Sequence, residues 1–337
     1  MADKPVSYVL PIRRTSAESP AAELTEYLRW LSSRVDLVVA DNSPPAAFAA
    51  NDRAWGAWCR HVPPYPRFGQ PQSPKVANVL TGLRVASRDL VVVADDDVRW
   101  DDASLERAAA LASCADLVRP QNYFSPRVWH ARWDTARSLI NRAFSADFPG
   151  TLVVRRSVVE SVGGYDGDTL FENLELIRTV QGAGGRVVNA PDLFVRRVPP
   201  STSRFWSQRV RQAYDDFALP GRMLLWLSLL PAVVLVTVRF GGAGMAAFVA
   251  VSVGVAEVGR RRRGGRQVFS TDAALWAPLW LGERAVCAWL ACAARLLFGG
   301  VRYNGVVVRR AAHSPRQLRR RVAPPRGGCS IPVGPAS

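Results

Sequence analysis

The first 200 residues alternate between two hydrophobic periods, and this alternation constrains the fold more than any other feature of the sequence. Short runs rich in β-branched residues predict strands; they are SYVLPI, VDLVVA, DLVVVA, ADLVRP and GTLVVR. Between them, stretches such as KVANVLTGLRVAS repeat their apolar residues every three or four positions, which predicts one-sided helices. Strands that are apolar almost throughout and alternate with helices are typical of a mostly parallel sheet covered on both faces. The sequence therefore predicts an α/β fold.

Acidic residues follow two of these strands, at the point where each strand ends. Asp41 comes directly after LVVA, and Asp95, Asp96 and Asp97 come directly after LVVVA. Ligands bind beyond the carboxyl ends of the strands in open α/β sheets, so both acidic clusters should lie at one edge of the sheet. Carboxylates one residue apart on a turning loop can converge on a divalent cation, and Mg²⁺ and Mn²⁺ prefer such oxygen ligands. The alternative is an acidic loop that water solvates.

Two apolar segments follow one another in the last third of the chain. Met223–Val238 and Met245–Val258 are separated by a short glycine-containing break. Each is slightly shorter than the roughly 20 residues that span a bilayer, and flanking residues can supply the difference. Residues 221–260 therefore predict a transmembrane helical hairpin. A buried soluble hairpin or a re-entrant one is the alternative.

The flanks of this hairpin predict its orientation. Arg222 precedes the first segment and Arg260–Arg263 follow the second, so the positive-inside rule places both outer ends in the cytoplasm. The N-terminus, MADKPVSYVL, has no charged region followed by an apolar stretch, and we expect no secretory signal. Five scattered cysteines and three histidines argue against a zinc site or a disulfide framework. We therefore expect a protein of the cell membrane whose N-terminal domain faces the cytoplasm.

The rest of the chain is strongly basic. Residues 201–337 contain 20 arginines and 5 acidic residues, whereas residues 1–200 contain 24 basic and 23 acidic residues. Residues 261–300 predict a basic linker and a third apolar helix, Ala274–Phe298, which is either interfacial or a final membrane span. Residues 301–337 predict a basic, flexible tail. The adjacent apolar hairpin favours anionic lipid over nucleic acid as the partner of these arginines, and no nucleic acid is expected to bind.

Seven segments carry a family resemblance through their order and spacing. They are YVLPIRR, VVADNSP, KVANVLTG, VVVADDDVRW, FPGTLVVRR, GGYDGDTLFENLEL and FWSQRVRQAY. Together they resemble a family 2 glycosyltransferase of the GT-A fold over roughly residues 5–220, within a predicted cytosolic domain of residues 1–220. The resemblance implies a nucleotide-sugar donor, a divalent cation (Mn²⁺ or Mg²⁺) and inversion at the anomeric carbon.

The resemblance also assigns residues to the donor. Asp41 matches the acid that contacts the base or ribose of the donor, and Lys75 and Asn78 fall in the helix-start motif near the donor. Asp95 and Asp97 match the metal-binding pair, and the metal would bridge the donor diphosphate. The remaining donor-side candidates are Pro11, Asp96, Gln208, Arg209 and Arg211.

The expected catalytic base is missing from its usual position. Family members carry Glu-Asp where this chain has Glu172 and Asn173. The aspartate deprotonates the acceptor hydroxyl in such enzymes, and an amide lacks the basicity for that role. Glu172 after a small loop shift is the favoured replacement. Glu175, three residues further along the same helix face, is the second candidate, and loss of turnover is the third possibility.

The segment before the hairpin departs from the family pattern as well. QRVRQ, residues 208–212, resembles the QxxRW element, but Gln212 stands where tryptophan is usual, and Trp206 lies just upstream. The arginines of this segment can offer forked hydrogen bonds to phosphate, or they can belong to a basic helix beside the membrane. Gly150, Thr151 and Trp206 are the acceptor-side candidates.

These expectations define a metal-dependent, membrane-attached, inverting hexosyltransferase. Its acceptor is expected to be the hydroxyl of a lipid-linked or envelope glycan, because the hairpin places the domain at the membrane. One alternative is a polyprenyl-phosphate glycosyltransferase, whose acceptor phosphate needs no general base. Another is a membrane scaffold that binds nucleotide sugars without catalysis.

Overall fold

The strands in the described part of this chain form one large sheet and one small hairpin. The computed structural model describes residues 4–66, 73–303 and 305–322. The strands in this part are β1 (Ser7–Ile12), β2 (Asp36–Asp41), β3 (Arg60–Val62), β4 (Leu90–Ala94), β5 (Val98–Arg99), β6 (Leu117–Phe124), β7 (Thr151–Arg155), β8 (Val187–Arg197), β9 (Val301–Tyr303) and β10 (Val306–Val308). Eight of them form a sheet in the order β3-β2-β1-β4-β7-β6-β8-β5, and β9 pairs with β10.

The half of the large sheet built from β1 to β4 is parallel. Val9 of β1 pairs with Val38 of β2 on one side and with Val93 of β4 on the other. Strand β7 then joins β4 in the antiparallel sense, β6 and β8 are parallel to each other, and β5 is antiparallel to β8. The sheet is thus mostly parallel, as predicted. Because β1, β2 and β4 run in the same direction, their carboxyl ends meet at one edge of the sheet.

Helices cover both faces of the large sheet. The helices are α1 (Ala22–Ser32), α2 (Pro45–Trp55), α3 (Pro74–Val85), α4 (Asp102–Ala112), α5 (Trp129–Phe144), α6 (Arg156–Ser161), α7 (Glu172–Gly182), α8 (Thr202–Ser207), α9 (Arg209–Tyr214), α10 (Pro220–Phe240), α11 (Gly242–Arg261), α12 (Ala277–Phe298) and α13 (Pro315–Val322). Side chains alternate along β1, so Tyr8 and Leu10 pack beneath α1 and α4, whereas Val9 packs beneath α3 and α7. The predicted α/β fold is confirmed.

Helices α10 and α11 form a hairpin that lies largely outside the core. They contain 21 and 20 residues, and only 11% and 22% of their most apolar windows are buried. The helices approach closely at Gly244, where an added Cβ would lie 2.6 Å from the carbonyl oxygen of Val236. Within the described ranges, these two helices are long and apolar enough to cross a membrane. Their bounds, 220–240 and 242–261, agree with the predicted hairpin.

Helix α12, which contains most of the third apolar segment, packs one face against the rest of the chain. Trp280 is fully buried in a cluster shared with α5, α10 and α11, whereas Trp289 is 49% exposed. Glu283 and Arg284 lie on the buried face, with side chains 9% and 3% exposed. The charges of this helix therefore contact protein.

The prediction of a flexible tail over residues 301–337 was wrong for the described part of that segment. Beyond the β9–β10 hairpin, the backbone oxygens of Arg310 and Ala311 accept hydrogen bonds from the N–H groups of Leu170 and Phe171 at 3.0 and 2.8 Å. Helix α13 packs on α7 through the buried side chain of Leu318. These long-range contacts order a segment whose composition alone reads as solvated. Residues 323–337 of the predicted tail lie outside the described residues.

Candidate active site

A charged cavity of about 310 Å³ opens at the carboxyl edge of the parallel strands. Its wall combines the ends of β1 and β4 with residues of α3, α7, α9, α10 and α12. The charged lining consists of eight basic and seven acidic side chains, namely Arg13, Lys75, Arg137, Arg197, Arg204, Arg211, Arg222, Arg284, Asp95, Asp96, Asp97, Asp147, Glu172, Asp215 and Asp216. Such a lining suits an ionic ligand that carries phosphate better than an apolar ligand.

Asp95 and Asp97 lie in the turn between β4 and β5 and converge on Arg197 at the end of β8. The Nε of Arg197 donates to Asp97 Oδ2 at 2.9 Å, and its Nη2 donates to Asp95 Oδ2 at 3.4 Å. Burial raises the pKa of Asp97, and the charges of Asp95 and Asp96 add to this effect against the attraction of Arg197. The two carboxylates therefore approach the same group, the positively charged guanidinium of Arg197.

The donor set of this turn fits a divalent cation. Asp97 Oδ1 is buried and has no hydrogen-bond partner, and the Oδ2 atoms of Asp97 and Asp95 both accept from Arg197. Hard oxygen ligands of this kind are those that Mg²⁺ and Mn²⁺ prefer. No cluster of three or more metal-ligating side chains occurs in the part of the chain that the structure describes. An ion held by Asp95 and Asp97 would thus take its other ligands from substrate and water.

Lys75, in the first turn of α3, connects the acidic turn to α7. Its Nζ lies 2.5 Å from Asp95 Oδ1 and 2.9 Å from Glu172 Oε1. Burial opposes the charge of the ammonium group, but the two carboxylates hold the pKa of Lys75 above its ordinary value. Lys75 and Arg197 in turn lower the pKa of Asp95 against the effect of burial. Both groups of the pair therefore stay ionised, and Lys75 is not the solvated surface lysine that its residue type favours.

The cavity also contains five further candidates from the sequence: Pro11, Asn78, Asp96, Gln208 and Arg211. Asn78 donates from Nδ2 to the backbone oxygen of Ile12 at 2.9 Å, which ties α3 to the end of β1. The guanidinium of Arg211 lies 5.0 Å from the centre of the Tyr303 ring. The structure therefore brings the helix-start motif, the acidic turn and part of QRVRQ into one cavity.

Asp41 ends β2 at the same edge of the sheet but does not line the cavity. It is 1% exposed, and its carboxylate accepts hydrogen bonds from the backbone of Ser43 and from Asn51 Nδ2 at 2.8 and 2.7 Å. His61 Nε2 lies 3.0 Å from its Oδ2. Burial opposes the charge, and these partners lower the pKa of Asp41. Its carboxylate is thus fully engaged by protein, and the pairing with His61 had no signal in the sequence.

Arg209 does not contact the cavity, in contrast to the sequence prediction. Its Nη1 and Nη2 lie 2.7 and 3.2 Å from the oxygens of Asp134, and Nη1 lies 3.5 Å from Glu283. The guanidinium also stacks 3.9 Å from the centre of the Phe205 ring. All three charged side chains are less than 10% exposed. Arg209 therefore joins α5, α9 and α12, and its guanidinium is engaged by Asp134 and Glu283 outside the cavity.

Glu175 is excluded as the catalytic base by its position. It is completely buried, and its two oxygens accept hydrogen bonds from the backbone N–H and the Nδ1 of His313, both at 2.8 Å. The carboxylate thus binds the C-terminal segment to α7. Of the two predicted glutamates, only Glu172 lines the cavity.

The acceptor-side candidates separate into one cavity residue and two that lie elsewhere. Gly150 lines the cavity, and an added Cβ there would lie 2.8 Å from Asp95 Oδ2, so a side chain at this position would displace the Asp95 carboxylate. Thr151 is buried, and its hydroxyl donates to the backbone oxygen of Val93 at 2.8 Å. Trp206 is 51% exposed and packs on Phe205 in an aromatic cluster outside the cavity. Of the three acceptor-side candidates, Gly150 therefore lines the cavity, and Thr151 and Trp206 do not.

Asn173 and Asp215 complete the wall next to Glu172. Asn173 Nδ2 donates to the backbone oxygen of Pro149 at 3.0 Å, so the amide at the usual base position supports the loop before β7. Asp215 follows α9, and burial raises its pKa to about 7. Asp215 was not among the residues predicted from the sequence, although it lies only three residues beyond QRVRQ. Arg197 also went unrecognised, because its neighbours in sequence belong to no motif.

Comparisons with known proteins point to one family. Residues 67–214 match the family model described as "Glycosyltransferase like family 2". No curated protein sequence is significantly similar to this chain.

Three solved structures share a similar arrangement at low sequence identity. The mannosyltransferase PcManGT from Pyrobaculum calidifontis, in complex with GDP-Man and Mn²⁺, is 18% identical with a TM-score of 0.49, over 85% of this chain and 87% of that chain. Mannosyl-3-phosphoglycerate synthase from Rubrobacter xylanophilus is 17% identical with a TM-score of 0.41, over 64% and 75% of the two chains. Glucosyl-3-phosphoglycerate synthase from Mycobacterium tuberculosis, in complex with phosphoglyceric acid, is 18% identical with a TM-score of 0.41, over 60% and 75%.

Proposed function

Because residues 67–214 form a family 2 glycosyltransferase domain in a chain of the GT-A fold, we propose that this protein transfers a hexose from a nucleotide-sugar donor to an acceptor at a membrane, with inversion at the anomeric carbon. One observation carries the proposal: Asp95 and Asp97 converge beside Lys75 and Arg197 in a cavity beyond the strand ends. Carboxylates that can hold a cation and basic groups that can bind phosphate are the two parts that a nucleoside diphosphate requires.

The donor diphosphate would lie between the acidic turn and the basic side chains of the cavity. Lys75, Arg204 and Arg211 line this space and can donate hydrogen bonds to phosphate oxygens. A divalent cation held by Asp95 and Asp97 would neutralise the charge that develops on the departing nucleoside diphosphate. In this arrangement Arg197 keeps the two carboxylates together when the donor is absent.

The acceptor is proposed to be lipid-linked or part of an envelope glycan. Arg222, in the first turn of α10, and Arg284, on α12, both line the cavity, so one end of it adjoins the apolar helices. A lipid-anchored acceptor can reach the reaction centre along this side, while the soluble donor enters from the cytoplasm. The arginines at both outer ends of the hairpin support this orientation.

Asn173 favours a second candidate acceptor, a polyprenyl phosphate. A phosphate monoester is largely ionised near neutral pH, so its oxygen can attack without a general base. An amide at the usual base position is then no obstacle. A scaffold that binds nucleotide sugars without transferring them is the remaining alternative, and measured turnover would exclude it.

A donor screen tests the proposed function. We expect the purified full-length protein in detergent, with Mn²⁺ present, to release nucleoside diphosphate from at least one of UDP-glucose, UDP-galactose, GDP-mannose and dTDP-rhamnose. The same donor should bind in calorimetry, because binding and turnover use one cavity. Addition of lipid extract containing polyprenyl phosphate or lipid-linked glycans should accelerate release if the acceptor is of that class. Neither binding nor release with any nucleotide sugar would contradict the function.

Membrane insertion of the hairpin makes a separate prediction. Val234 is 54% exposed on α10, and an arginine near the centre of a spanning helix costs about 2.5–3.5 kcal/mol. Val234→Arg should therefore reduce the fraction of full-length protein that stays with phosphatidylglycerol–phosphatidylethanolamine vesicles after an alkaline wash. Ser113→Arg adds the same charge at an exposed position after α4 and should not reduce it. Equal retention of both variants would show that α10 lies outside the bilayer.

A further inference from the structure

The proposed transfer to a hydroxyl leaves one chemical role unassigned, because a proton must leave the acceptor oxygen as it attacks. The amide of Asn173 is unable to take this proton, and the carboxylate of Glu175 is buried and hydrogen-bonded to His313. We propose that Asp215 is the general base that receives it. The inference rests on the proposed function and names the catalytic residue of that same site.

Asp215 has the position that this role requires. It begins a short 3₁₀ turn, Asp215–Ala218, that connects α9 to α10, and it lines the same cavity as Asp95 and Asn173. The turn therefore places a carboxylate between α9, which contains Arg209 and Arg211, and the apolar helix α10. An acceptor that enters along the apolar helices would meet this carboxylate before it reaches the donor.

Asp215 has a buried carboxylate oxygen, Oδ1, without a hydrogen-bond partner. The adjacent Asp216 also has such an oxygen, Oδ2, but two arginines neutralise its charge, Arg222 at 3.3 Å and Arg284 at 3.5 Å. A buried acceptor atom without a donor costs about 1–3 kcal/mol, so its persistence in a cavity needs a reason. The hydroxyl of a bound acceptor would supply the missing donor.

Glu172, the base favoured by the sequence, is already engaged. Its Oε1 accepts a hydrogen bond from the ammonium group of Lys75, and the same ammonium group is paired with Asp95. Moving a proton onto Glu172 would disturb the ion pair that orders the acidic turn. We therefore assign Glu172 to positioning Lys75, and Asp215 to proton transfer.

The charges around Asp215 tune it for this role. Burial raises the pKa of Asp215 to about 7; Arg211 of α9 and Arg284 of α12 act against this rise, and Glu172 of α7 and Asp216 add to it. Arg222, from α10, faces the same turn but is paired with Asp216. A general base works best when its pKa lies near the operating pH, because it is then both ionised and basic enough to accept a proton.

The step balances without an additional reagent. The proton of the acceptor hydroxyl passes to the Asp215 carboxylate as the acceptor oxygen forms a bond to the anomeric carbon. The bond from that carbon to the diphosphate oxygen breaks on the opposite face, and its electron pair leaves with the nucleoside diphosphate. The protonated carboxyl then returns its proton to water.

The test compares four variants of the full-length protein: Asp215→Asn, Asp215→Glu, Glu172→Gln and the control Asp192→Asn. Asp192 is an exposed aspartate paired with Arg107, distant from the cavity. For each variant, nucleoside diphosphate release from the donor found in the screen is measured from pH 5.5 to 9, with water or a glycan hydroxyl as acceptor. Donor binding is measured by calorimetry.

We expect wild-type kcat to fall below a pKa of about 7, because protonation removes the base. Asp215→Asn should lower kcat by about 10²–10⁴-fold and abolish this acidic limb, with the Kd of the donor within threefold of wild type. Asp215→Glu should restore part of kcat with a shifted limb. Glu172→Gln should weaken donor binding and keep the limb, and Asp192→Asn should match wild type.

Three results would overturn the assignment. If the Asp215→Asn variant keeps more than a tenth of wild-type kcat, proton transfer to Asp215 is excluded. Survival of the acidic limb of the pH profile in that variant would exclude it as well. Exclusive transfer to polyprenyl phosphate, unaffected by Asp215→Asn, would also exclude it while leaving the transferase function intact. Absence of wild-type turnover with every donor would instead contradict the proposed function, and the role of Asp215 with it.

Discussion

Asp97→Asn is expected to lower kcat for Mn²⁺-dependent sugar transfer by about 10³-fold, which corresponds to about 4 kcal/mol of transition-state stabilisation. The amide keeps the shape of Asp97 but removes the negative charge and replaces one carboxylate oxygen with an NH₂ group, which does not bind a cation. It also removes a charge that burial and the charges of Asp95 and Asp96 already disfavour, so the variant should fold as well as wild type. The measurement is nucleoside diphosphate release at saturating donor across a Mn²⁺ titration.

Asp102→Asn is the matched control for this variant. Asp102 belongs to the same acidic stretch of sequence, but it starts α4 and pairs with Arg34 in an exposed position. It should retain wild-type turnover and Mn²⁺ dependence. Unchanged activity of Asp97→Asn, or wild-type activity that survives full chelation of divalent cations, would contradict the metal role of the acidic turn.

Arg209→Met is expected to destabilise the protein by about 3–5 kcal/mol, because it leaves Asp134 and Glu283 buried without their cation. A loss of this size should lower the Tm of the detergent-solubilised protein by about 10 °C. Donor affinity measured below the transition should change little, since Arg209 does not line the cavity. Thermal unfolding followed by circular dichroism provides the Tm, and calorimetry provides the Kd.

Arg211→Met is the matched comparison, because it removes the same charge two residues away. Arg211 lines the cavity, and loss of its charge-assisted hydrogen bonds to a diphosphate should raise the donor Kd by about 10–100-fold. Its effect on Tm should be smaller than that of Arg209→Met. The reverse pattern, with Arg209 controlling affinity and Arg211 controlling stability, would return Arg209 to the donor site.

Local pattern was sufficient for the framework of the site. The position of Asp95 and Asp97 at a strand end follows from one apolar run and the carboxylates directly after it. The hairpin follows in the same way from the length of two apolar segments, whereas Lys75 and Asn78 were assigned only through the family resemblance of KVANVLTG. The structure brings Asp95, Asp97, Lys75 and Asn78 to one cavity.

Amino-acid composition gave a wrong prediction where long-range contacts order a segment that is rich in arginine. Residues 301–322 read as a solvated basic tail, yet in the described part of that segment His313 is buried against Glu175, 138 residues away in sequence. The same contact removes Glu175 from the set of candidate bases. The sequence neighbours of Glu175 and His313 contain no pattern that predicts this pairing.

The sequence by itself determined the alternation of strands and helices in the first 200 residues, the acidic residues at two strand ends, and the two apolar helices that follow the domain. Only the tertiary structure decided which charged side chains share the cavity. Arg197 reaches Asp95 across 102 residues, and Asp215 lines the same cavity as Glu172 because the turn after α9 and the start of α7 both border it. Arg209 and Arg211 differ because successive helical residues turn by about 100°, so two positions apart they face nearly opposite sides. Hydrophobic period is encoded locally, whereas the environment of a charge depends on every element packed around it.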